Sequence, residues 1–385
     1  MQINRTYDGV SRLFSVPHMA DTNTLSVTLN GAQAYITVSG NTFTINGLPD
    51  VGDVIGISFD TREFTLCAPS DCPVCPDVPE CPTLPVSTHP YLPQDVFDDL
   101  LTGIGLGGAC LMTDGVHVVG AAYNNVASNR HHVYVSDVNS ANYGRYTNAA
   151  NLPANRAHHR IVAATPDIAY IVGGVSGGGF IRYNRAPNTY TTLATMPAVL
   201  SAPKVAITGT GKVFVSGSFG GASRTTYLYN PSTNVWTTAD DYPIWHGFGS
   251  AVGLSDGRVL CISGATTSDV GVTNCYFFDE TAAPGSQYTA APSIYALRGV
   301  AGVVDNKVYL HTGGYTISVL DLDAAVLGWN TLGKLPSRIA NAEQGCVVDN
   351  PPRMITIGGY ANESGWLQTG RASAIHLTSA ITPLE

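Results

Sequence analysis

The chain has 385 residues, which is too long for one ordinary compact core and indicates either several domains or a repeat architecture. Charged residues make up 12% of the chain, against roughly 25% in an average globular protein. This low share fits a β-rich extracellular or virion protein and argues against a helical cytosolic enzyme. The formal net charge of −9 and the lack of a basic run argue against nucleic-acid binding through a basic patch.

The N-terminal sequence MQINRTYDGVSRLF has no apolar segment behind a basic start, so we expect no cleavable secretory signal. No apolar run reaches the roughly 18 residues of a transmembrane helix, so we expect no membrane insertion. A low-charge β protein without a secretory signal is unusual. A virion protein that is assembled in the host cytoplasm and released by lysis reconciles these features.

Residues 1–66 alternate between polar and apolar side chains, which predicts a small antiparallel β domain. Asn30-Gly31 separates two such alternating runs, and this dipeptide is a strong signal for a two-residue hairpin. Asn46-Gly47 is a weaker turn signal in the same segment.

Residues 67–93 have a proline every two to four positions, which predicts an extended linker or stalk without helix or central strand. The segment also contains Cys67, Cys72, Cys75 and Cys81. A CxxC with two flanking cysteines is compatible with zinc, with free thiols or with disulfides. Because a stalk with almost no core gains most from cross-links, we expect structural disulfides within or between subunits.

Residues 94–385 contain six copies of one pattern, an apolar run that ends near a glycine or glycine pair. The runs are VHVVGAA from 116, AYIVGGV from 169, VFVSGSF from 213, VLCISGA from 259, VYLHTGG from 308 and MITIGGY from 354. A short strand and a tight turn precede each run, and a third strand follows it. Four short strands per copy predict an all-β fold, a six-bladed β-propeller with small apolar residues on its inner strands.

The repeat resembles the kelch family, most closely in FVSGSFGGASRTTYLYNPSTNVWTTADDYP, residues 214–243. The glycine pair, the YNP-like strand and the Trp strand that ends in proline carry the resemblance, which implies a kelch-like propeller. The last copy lacks a clear Trp strand. Closure of the ring therefore requires an outer strand from the C-terminal ITPLE or from residues before 110.

The N-terminal segment contains a pattern made by Tyr7, Asp8, Gly9, Phe14, Val16, Pro17, Val27, Leu29, Asn30, Gly31, Gly52 and Asp53. With this pattern the segment resembles the start of podophage tail-fibre and appendage proteins. In that family the domain attaches the fibre to the tail. The resemblance implies that residues 1–66 bind other tail proteins of a virion, and fibre proteins of this kind are commonly trimers.

The face of the propeller that holds the longer loops is the expected receptor-binding surface. In a four-stranded blade, the loops between the second and third strands and the connections between blades lie on one face. Aromatic, Asn, Arg and His residues concentrate there, and such a mix suits a host-surface glycan through ring stacking and planar hydrogen-bond donors, although solvated loops give the same pattern. The candidate residues are Tyr123, Asn129, Arg130, His131, Arg156, His158, His159, Trp245, His246, Arg298, Arg338 and Trp366.

Two groups of residues raise the question of a metal. The histidine group, His131-His132 and His158-His159 with His246 and His311, lacks an acidic residue at ligand spacing on the same strand. The acidic turns that begin at Asp114, Asp256, Asp305 and Asp349 are explained by hairpins that need positive φ. We therefore expect no metal and no other cofactor, and we expect the four cysteines outside the linker to be buried and inert.

The leading hypothesis is a bacteriophage tail fibre or appendage in the virion, whose propeller binds a host-surface glycan or protein. The first alternative is an enzyme that depolymerises host polysaccharide, with Glu343, Glu363 and Asp269 as candidate carboxylates. Copper-dependent kelch oxidases use a Tyr, Cys and His ligand set that does not map onto this sequence. The second alternative is a cytosolic kelch module that binds other proteins.

Overall fold

The computed structural model divides the chain into two compact units, residues 1–85 and 86–385. The first unit is described through the backbone of its strands. In the second unit the described residues are 94–96, 104–105, 107–120, 122–123, 126–174, 179–219, 223–266, 270–314, 316–334, 345–349, 352–357 and 372–377. The predicted linker at 67–93, with its four cysteines, lies outside these residues and stays a prediction, as do the predicted domain boundaries.

The first unit consists of antiparallel strands in two sheets. The strands are β1 (Gln2–Thr6), β2 (Leu13–Ser15), β3 (Ser26–Leu29), β4 (Ala32–Gln33), β5 (Ile36–Ser39), β6 (Thr42–Ile45) and β7 (Val54–Ser58). One sheet has the order β1-β7-β3-β4 and the other β2-β6-β5. The register pairs Leu29 with Ala32, which is the position predicted for the first hairpin.

The second unit is built of short strands throughout. They are β8 (Gln94–Val96), β9 (Ile104–Gly105), β10 (Gly108–Met112), β11 (Gly115–Val119), β12 (Ala122–Tyr123), β13 (Val126–Ala127), β14 (His131–Tyr134), β15 (Tyr146–Asn148), β16 (His159–Thr165), β17 (Ile168–Gly173), β18 (Ile181–Asn184), β19 (Thr189–Thr192), β20 (Lys204–Ile207), β21 (Val213–Ser216), β22 (Thr226–Asn230), β23 (Val235–Ala239), β24 (Ser250–Gly253), β25 (Val259–Ile262), β26 (Gly264–Ala265), β27 (Gly271–Val272), β28 (Cys275–Phe278), β29 (Tyr288–Ala291), β30 (Val300–Val304), β31 (Lys307–His311), β32 (Thr316–Asp321), β33 (Trp329–Lys334), β34 (Gly345–Asp349), β35 (Pro352–Ile357) and β36 (Ala372–His376).

Six four-stranded antiparallel sheets form the blades of a β-propeller, as the sequence predicts. From the inner strand outward they are β10-β11-β14-β15, β16-β17-β18-β19, β20-β21-β22-β23, β24-β25-β28-β29, β30-β31-β32-β33 and β34-β35-β36-β8, and we number them blades 1 to 6. Each inner strand contacts the inner strands of both neighbouring blades, and β34 contacts β10. The blades therefore close into a ring.

The ring is closed by a strand that precedes blade 1 in the sequence. β8 is the outermost strand of blade 6 and pairs antiparallel with β36, with Asp95 opposite Ala374. The sequence left two sources for this outer strand, the C-terminal ITPLE and the residues before 110. The structure shows that the residues before 110 supply it. The C-terminal ITPLE lies outside the described residues.

The hydrophobic core lies between the blades. Each pair of neighbouring blades shares one cluster of buried side chains. Val172 of blade 2 packs with Val213 of blade 3, for example, and Leu260 of blade 4 packs with Leu310 of blade 5. A single blade has no partner for either of its faces, so the stability of the ring is cooperative.

The tyrosine of the YNP-like strand and an asparagine five residues later form a clamp between blades. Asn234 adopts a left-handed backbone conformation with φ of 56° in the turn before β23. Its Oδ1 accepts hydrogen bonds from the Tyr229 hydroxyl at 2.9 Å and from the backbone N–H of Ala194 in blade 2 at 2.9 Å. In blade 2, Asn188 makes the same two contacts with Tyr183 and with Ala150 of blade 1.

The tryptophan of the repeat also bonds across the blade boundary. Trp236 Nε1 donates to the carbonyl of Ala194 in blade 2 at 3.0 Å, and Trp329 Nε1 donates to the carbonyl of Pro292 in blade 4 at 2.9 Å. Each indole fills the wide outer part of the gap between two blades and satisfies its polar atom there.

We predict that Asn234→Ala lowers the free energy of unfolding by about 2 kcal/mol, because the substitution removes two hydrogen bonds and leaves Ala194 N–H without its acceptor. Urea denaturation at pH 7.5 measures this change. Asn330→Ala is the control, because Asn330 is exposed and makes only a long contact with the Gly328 carbonyl. An Asn234→Ala variant as stable as the control would show that the clamp does not hold the blades together.

Candidate functional site

The order of strands gives the propeller two different faces. The first and second strands of each blade join in tight turns, such as Thr113–Asp114 in blade 1, and these turns form what we call the turn face. The second strands end at the opposite side, where the connections to the third strands and between blades lie. We call this side the loop-rich face, and it is where the sequence places the candidate receptor-binding residues.

The loop-rich face is held together near its centre by a chain of backbone hydrogen bonds that crosses three blade boundaries. His158, Ala202, Phe248 and Arg298 occupy equivalent positions just before the inner strands of blades 2 to 5, all with φ between 47° and 56°. Ala202 N–H donates to the His158 carbonyl at 2.6 Å, Phe248 N–H to the Ala202 carbonyl and Arg298 N–H to the Phe248 carbonyl, both at 3.1 Å. We call these four residues the backbone clasp.

The side chains of the clasp meet over the centre of the ring. The Phe248 ring is fully buried and lies 5.7 Å from the His158 ring. Phe248 precedes the inner strand of blade 4 and His158 precedes that of blade 2, so these two blades are not neighbours. The Arg298 guanidinium lies over Phe248 at 3.9 Å, and Phe219 contacts the same ring at 4.4 Å. Side chains from separated blades contact each other only close to the axis, so Phe248 covers this end of the centre.

A channel of about 520 Å³ runs below the clasp, between the inner strands of all six blades. Its walls are mostly small and apolar, and Arg160 is the charged residue among those that line it. Each inner strand pairs on one side only, so its other backbone edge faces the channel. These N–H and C=O groups need hydrogen-bond partners, and we infer that water fills the channel.

Glycine at the end of the second strand allows this close assembly. Gly217 has φ of 79°, and a Cβ there would lie 2.4 Å from the His246 ring of the next connection. Gly173 has φ of 73° and would place a Cβ 2.4 Å from the Leu200 carbonyl oxygen. The glycine of the repeat is therefore needed for two reasons: it allows neighbouring blades to pack closely, and it adopts a left-handed backbone conformation.

Five of the sequence candidates have buried side chains: His131, Arg156, His159, His246 and Arg298. Arg156 donates from one guanidinium nitrogen to the Gly173 carbonyl at 3.2 Å, and His159 Nε2 donates to the Val119 carbonyl at 2.7 Å. These contacts join blade 2 to its entry segment and to blade 1. The structure thus places these side chains inside the fold, below the surface that a receptor would touch.

The other candidates divide into exposed and undescribed residues. Trp245 is 46% exposed and Arg130 is also exposed, whereas Asn129 and His158 are half-buried. Only the backbone of Tyr123 is described, in β12. Arg338 and Trp366 lie outside the described residues, as do the candidate carboxylates Asp269, Glu343 and Glu363. The binding role of the whole set stays a prediction.

His131 belongs to a buried hydrogen-bonded chain between blades 1 and 2. The Asp114 carboxylate accepts from His117 Nε2 at 2.8 Å, His117 Nδ1 accepts from His131 Nε2 at 2.8 Å, and His131 Nδ1 accepts from the Tyr190 hydroxyl at 2.8 Å. This direction of donation keeps both imidazoles neutral. Burial lowers the pKa of His117 and lowers the pKa of His131 to about 3.

His246 forms a second buried polar group, between blades 3 and 4. The Lys204 ammonium is fully buried, and it donates to His246 Nδ1 at 2.7 Å and to the Ser263 carbonyl at 2.5 Å. Burial lowers the pKa of Lys204 to about 8 and lowers that of His246 well below its ordinary value. The His246 ring packs against the Tyr242 ring in a tilted arrangement, at 3.7 Å between centroids.

The structure adds exposed residues that the sequence did not single out. Tyr295, in the connection from blade 4 to blade 5, is 53% exposed, and Val270 is exposed on a loop of blade 4. Tyr295 directly precedes the ALRG segment, residues 296–299, which the sequence marks as a connection between blades. Counting the residues on either side of each predicted connection as candidates would have included it.

Where the described histidines, cysteines and carboxylates are concerned, no group of three or more is arranged to hold a metal ion. Of the four cysteines expected to be buried, Cys110, Cys261 and Cys275 are free and buried, whereas Cys346 is free and half-buried. Burial raises the pKa of the Cys261 thiol to about 12. The described part of the chain also holds no helix with the length and hydrophobicity needed to cross a membrane.

Comparison with known proteins supports the fold. No family model matches the sequence, and no curated protein matches it either. A solved structure titled "Structure of YjhT" superimposes with a TM-score of 0.60 and 13% sequence identity, covering 74% of this chain and 98% of that chain. At this identity the likeness shows the propeller fold alone.

We predict that His311→Gln weakens the loss of stability in acid. Burial lowers the pKa of His311 to about 4, from an ordinary value near 6.5, so below pH 6.5 the unfolded chain binds a proton that the folded chain does not. The free energy of unfolding therefore falls by up to ~1.4 kcal/mol per pH unit between pH 6.5 and 4 because of this group.

Denaturation of both proteins at several pH values between 4 and 7.5 measures the effect. The difference in the free energy of unfolding at pH 7.5 gives the pH-independent cost of the substitution. Between pH 7.5 and pH 4 the free energy of unfolding of the wild type should fall by ~3 kcal/mol more than that of the variant. Parallel curves would contradict a neutral, buried His311.

Proposed function

We propose that this protein is a tail fibre or appendage of a tailed bacteriophage and that the loop-rich face of its propeller binds a host-surface glycan. In this proposal residues 1–66 attach to other tail proteins of the virion, and the chain acts as an oligomer, a trimer by analogy with other fibre proteins. The anchor-like N-terminal motif, the proline-rich segment and the β-propeller support this arrangement.

The distribution of exposed apolar side chains is the observation that carries the proposal for the propeller. Large apolar residues that are exposed within the described part of the chain concentrate on the loop-rich face: Val126, Val199, Trp245, Val270 and Tyr295. The remaining exposed ones, Val138, Val235 and Val326, belong to outer strands or to turns between third and fourth strands. Exposed apolar groups that share one face of a propeller favour a binding role for that face.

The distribution of charge supports the same orientation. Most described acidic residues lie in the tight turns and in the turns between third and fourth strands: Asp114, Asp137, Asp167, Asp256, Asp279, Glu280, Asp305, Asp321 and Asp323. Asp240 and Asp241, in the connection from blade 3 to blade 4, are exceptions. Several are paired with cations there, such as Glu280 with Lys212 at 2.9 Å. Bacterial surfaces are anionic, so an acidic turn face that points away from the cell avoids repulsion.

Within the described residues, no observation favours the alternative of a polysaccharide-degrading enzyme. The carboxylates proposed for that chemistry lie outside the described part of the loop-rich face, and the buried histidines are bonded within the fold.

We predict that this protein is present in purified phage particles and that the added full-length protein slows adsorption of those particles to their host. Mass spectrometry of gradient-purified particles tests the first point. An adsorption assay with increasing concentrations of free protein tests the second, because free protein and virion compete for one receptor. Absence of its peptides from the particles would refute the assignment.

A further inference from the structure

The loop between the second and third strands of blade 4 contains a small hairpin on the loop-rich face. Its two strands, β26 and β27, pair Gly264 with Val272 and Ala265 with Gly271. Three of these four residues are glycine or alanine, so the hairpin presents little side-chain bulk. It lies between the entry segments of blades 4 and 5, and each segment carries one exposed aromatic residue.

The entry segment of blade 4 is fixed to one edge of the hairpin by backbone hydrogen bonds. Gly247 N–H donates to the Ala265 carbonyl and Ala265 N–H donates to the Gly247 carbonyl, both at 2.8 Å. A Cβ at Gly247 would lie 2.7 Å from the Phe219 backbone nitrogen, so the segment is also packed closely on blade 3. Trp245 stands two residues before this bridge and is therefore displayed from a fixed backbone.

The entry segment of blade 5 is fixed on the other side. Ile294 N–H donates to the Thr273 carbonyl at 3.0 Å, and Ala296 N–H donates to the Ser263 hydroxyl at 3.0 Å. The Tyr295 ring lies over the hairpin, because a Cβ at Gly271 would be 2.4 Å from Tyr295 Cε2. The Tyr295 ring thus lies over the hairpin, the segment that carries Trp245 is bonded to the opposite edge, and Val270 directly precedes β27.

The chemistry of this patch selects a class of ligand. Its described residues, 244–248, 264–266, 270–272 and 292–296, include no Lys, Arg, Asp or Glu, and the one histidine, His246, is buried. The described part of this patch therefore offers no charge to a phosphate, a carboxylate or a basic peptide; Asp269, in the segment between β26 and β27, lies outside the described residues. Two exposed aromatic rings beside a glycine floor suit the C–H face of a sugar ring, whose hydroxyls reach the surrounding water and backbone groups.

We propose that Trp245, Val270 and Tyr295 form a stacking subsite for a neutral pyranose residue of a glycan. This inference deepens the proposed function and rests on it for the biological source of the sugar. The stacking itself is a property of the patch and is tested independently of the virion.

The test uses the full-length protein and a panel of neutral oligosaccharides: gluco-, galacto-, manno- and rhamno-oligosaccharides of three to six residues. Saturation-transfer NMR identifies the binders, and titration gives the dissociation constants. We expect at least one sugar to bind, with contacts to the ring C–H protons. Trp245→Ala and Tyr295→Ala should each weaken binding about tenfold, as loss of a stacking contact implies.

Two variants serve as controls. Tyr295→Phe keeps the ring and should retain binding within about threefold, since stacking needs the face and not the hydroxyl. Val326→Ala changes an exposed apolar residue on a turn between third and fourth strands and should have no effect. An unchanged thermal midpoint in every variant shows that the fold is intact.

Failure of this inference and failure of the proposed function give different results. If no sugar binds, or if binding survives Trp245→Ala and Tyr295→Ala, the subsite is refuted, whether or not the protein is found in virions. Self-association of the wild type that these two variants abolish would also refute it, because a second copy of the chain would then occupy the patch. Absence from virions with sugar binding intact would refute only the phage assignment.

Discussion

Closure of the ring is the constraint on which the rest of this structure depends. Each blade buries its side chains against its two neighbours, so the loss of one boundary exposes apolar surface on both sides. Polar bonds reinforce the boundaries at both radii: the clamp of Asn234 at the outside and the clasp at the inside. Pairing of β8 with β36 brings the first and last parts of the unit into one sheet.

The same constraint separates the residues that hold the fold from those that are free to bind. Polar side chains on the entry segments, such as His159 and His246, turn into the gaps between blades and bond there. Backbone hydrogen bonds fix the entry segments of blades 4 and 5, so the backbone that carries the exposed Trp245 and Tyr295 has little freedom to lose on binding.

The repeat of apolar runs and glycines was sufficient to predict the four strands of each blade, their order and the number of blades, because each blade is specified by local pattern. The short strands β12, β13 and β27 lie in segments that the sequence presented as loops. The YNP-like strand with Tyr229 was visible in the sequence, but the clamp that Tyr229 forms with Asn234 depends on the preceding blade, where Ala194 lies. The candidate site was predicted less well. Whether His131 points to solvent or to His117 depends on strand register and on the position of blade 2, and neither is readable from the spacing of histidines.

The most direct test of this account is a cysteine pair at the closure. Asp95 lies opposite Ala374 across β8 and β36, so Asp95→Cys with Ala374→Cys should form a disulfide under mild oxidation that peptide mapping detects and that raises the thermal midpoint. Asp95→Cys with Val235→Cys, on the outer strand of blade 3, should not cross-link. Failure of the first pair, or equal cross-linking of both, would contradict a ring closed by β8.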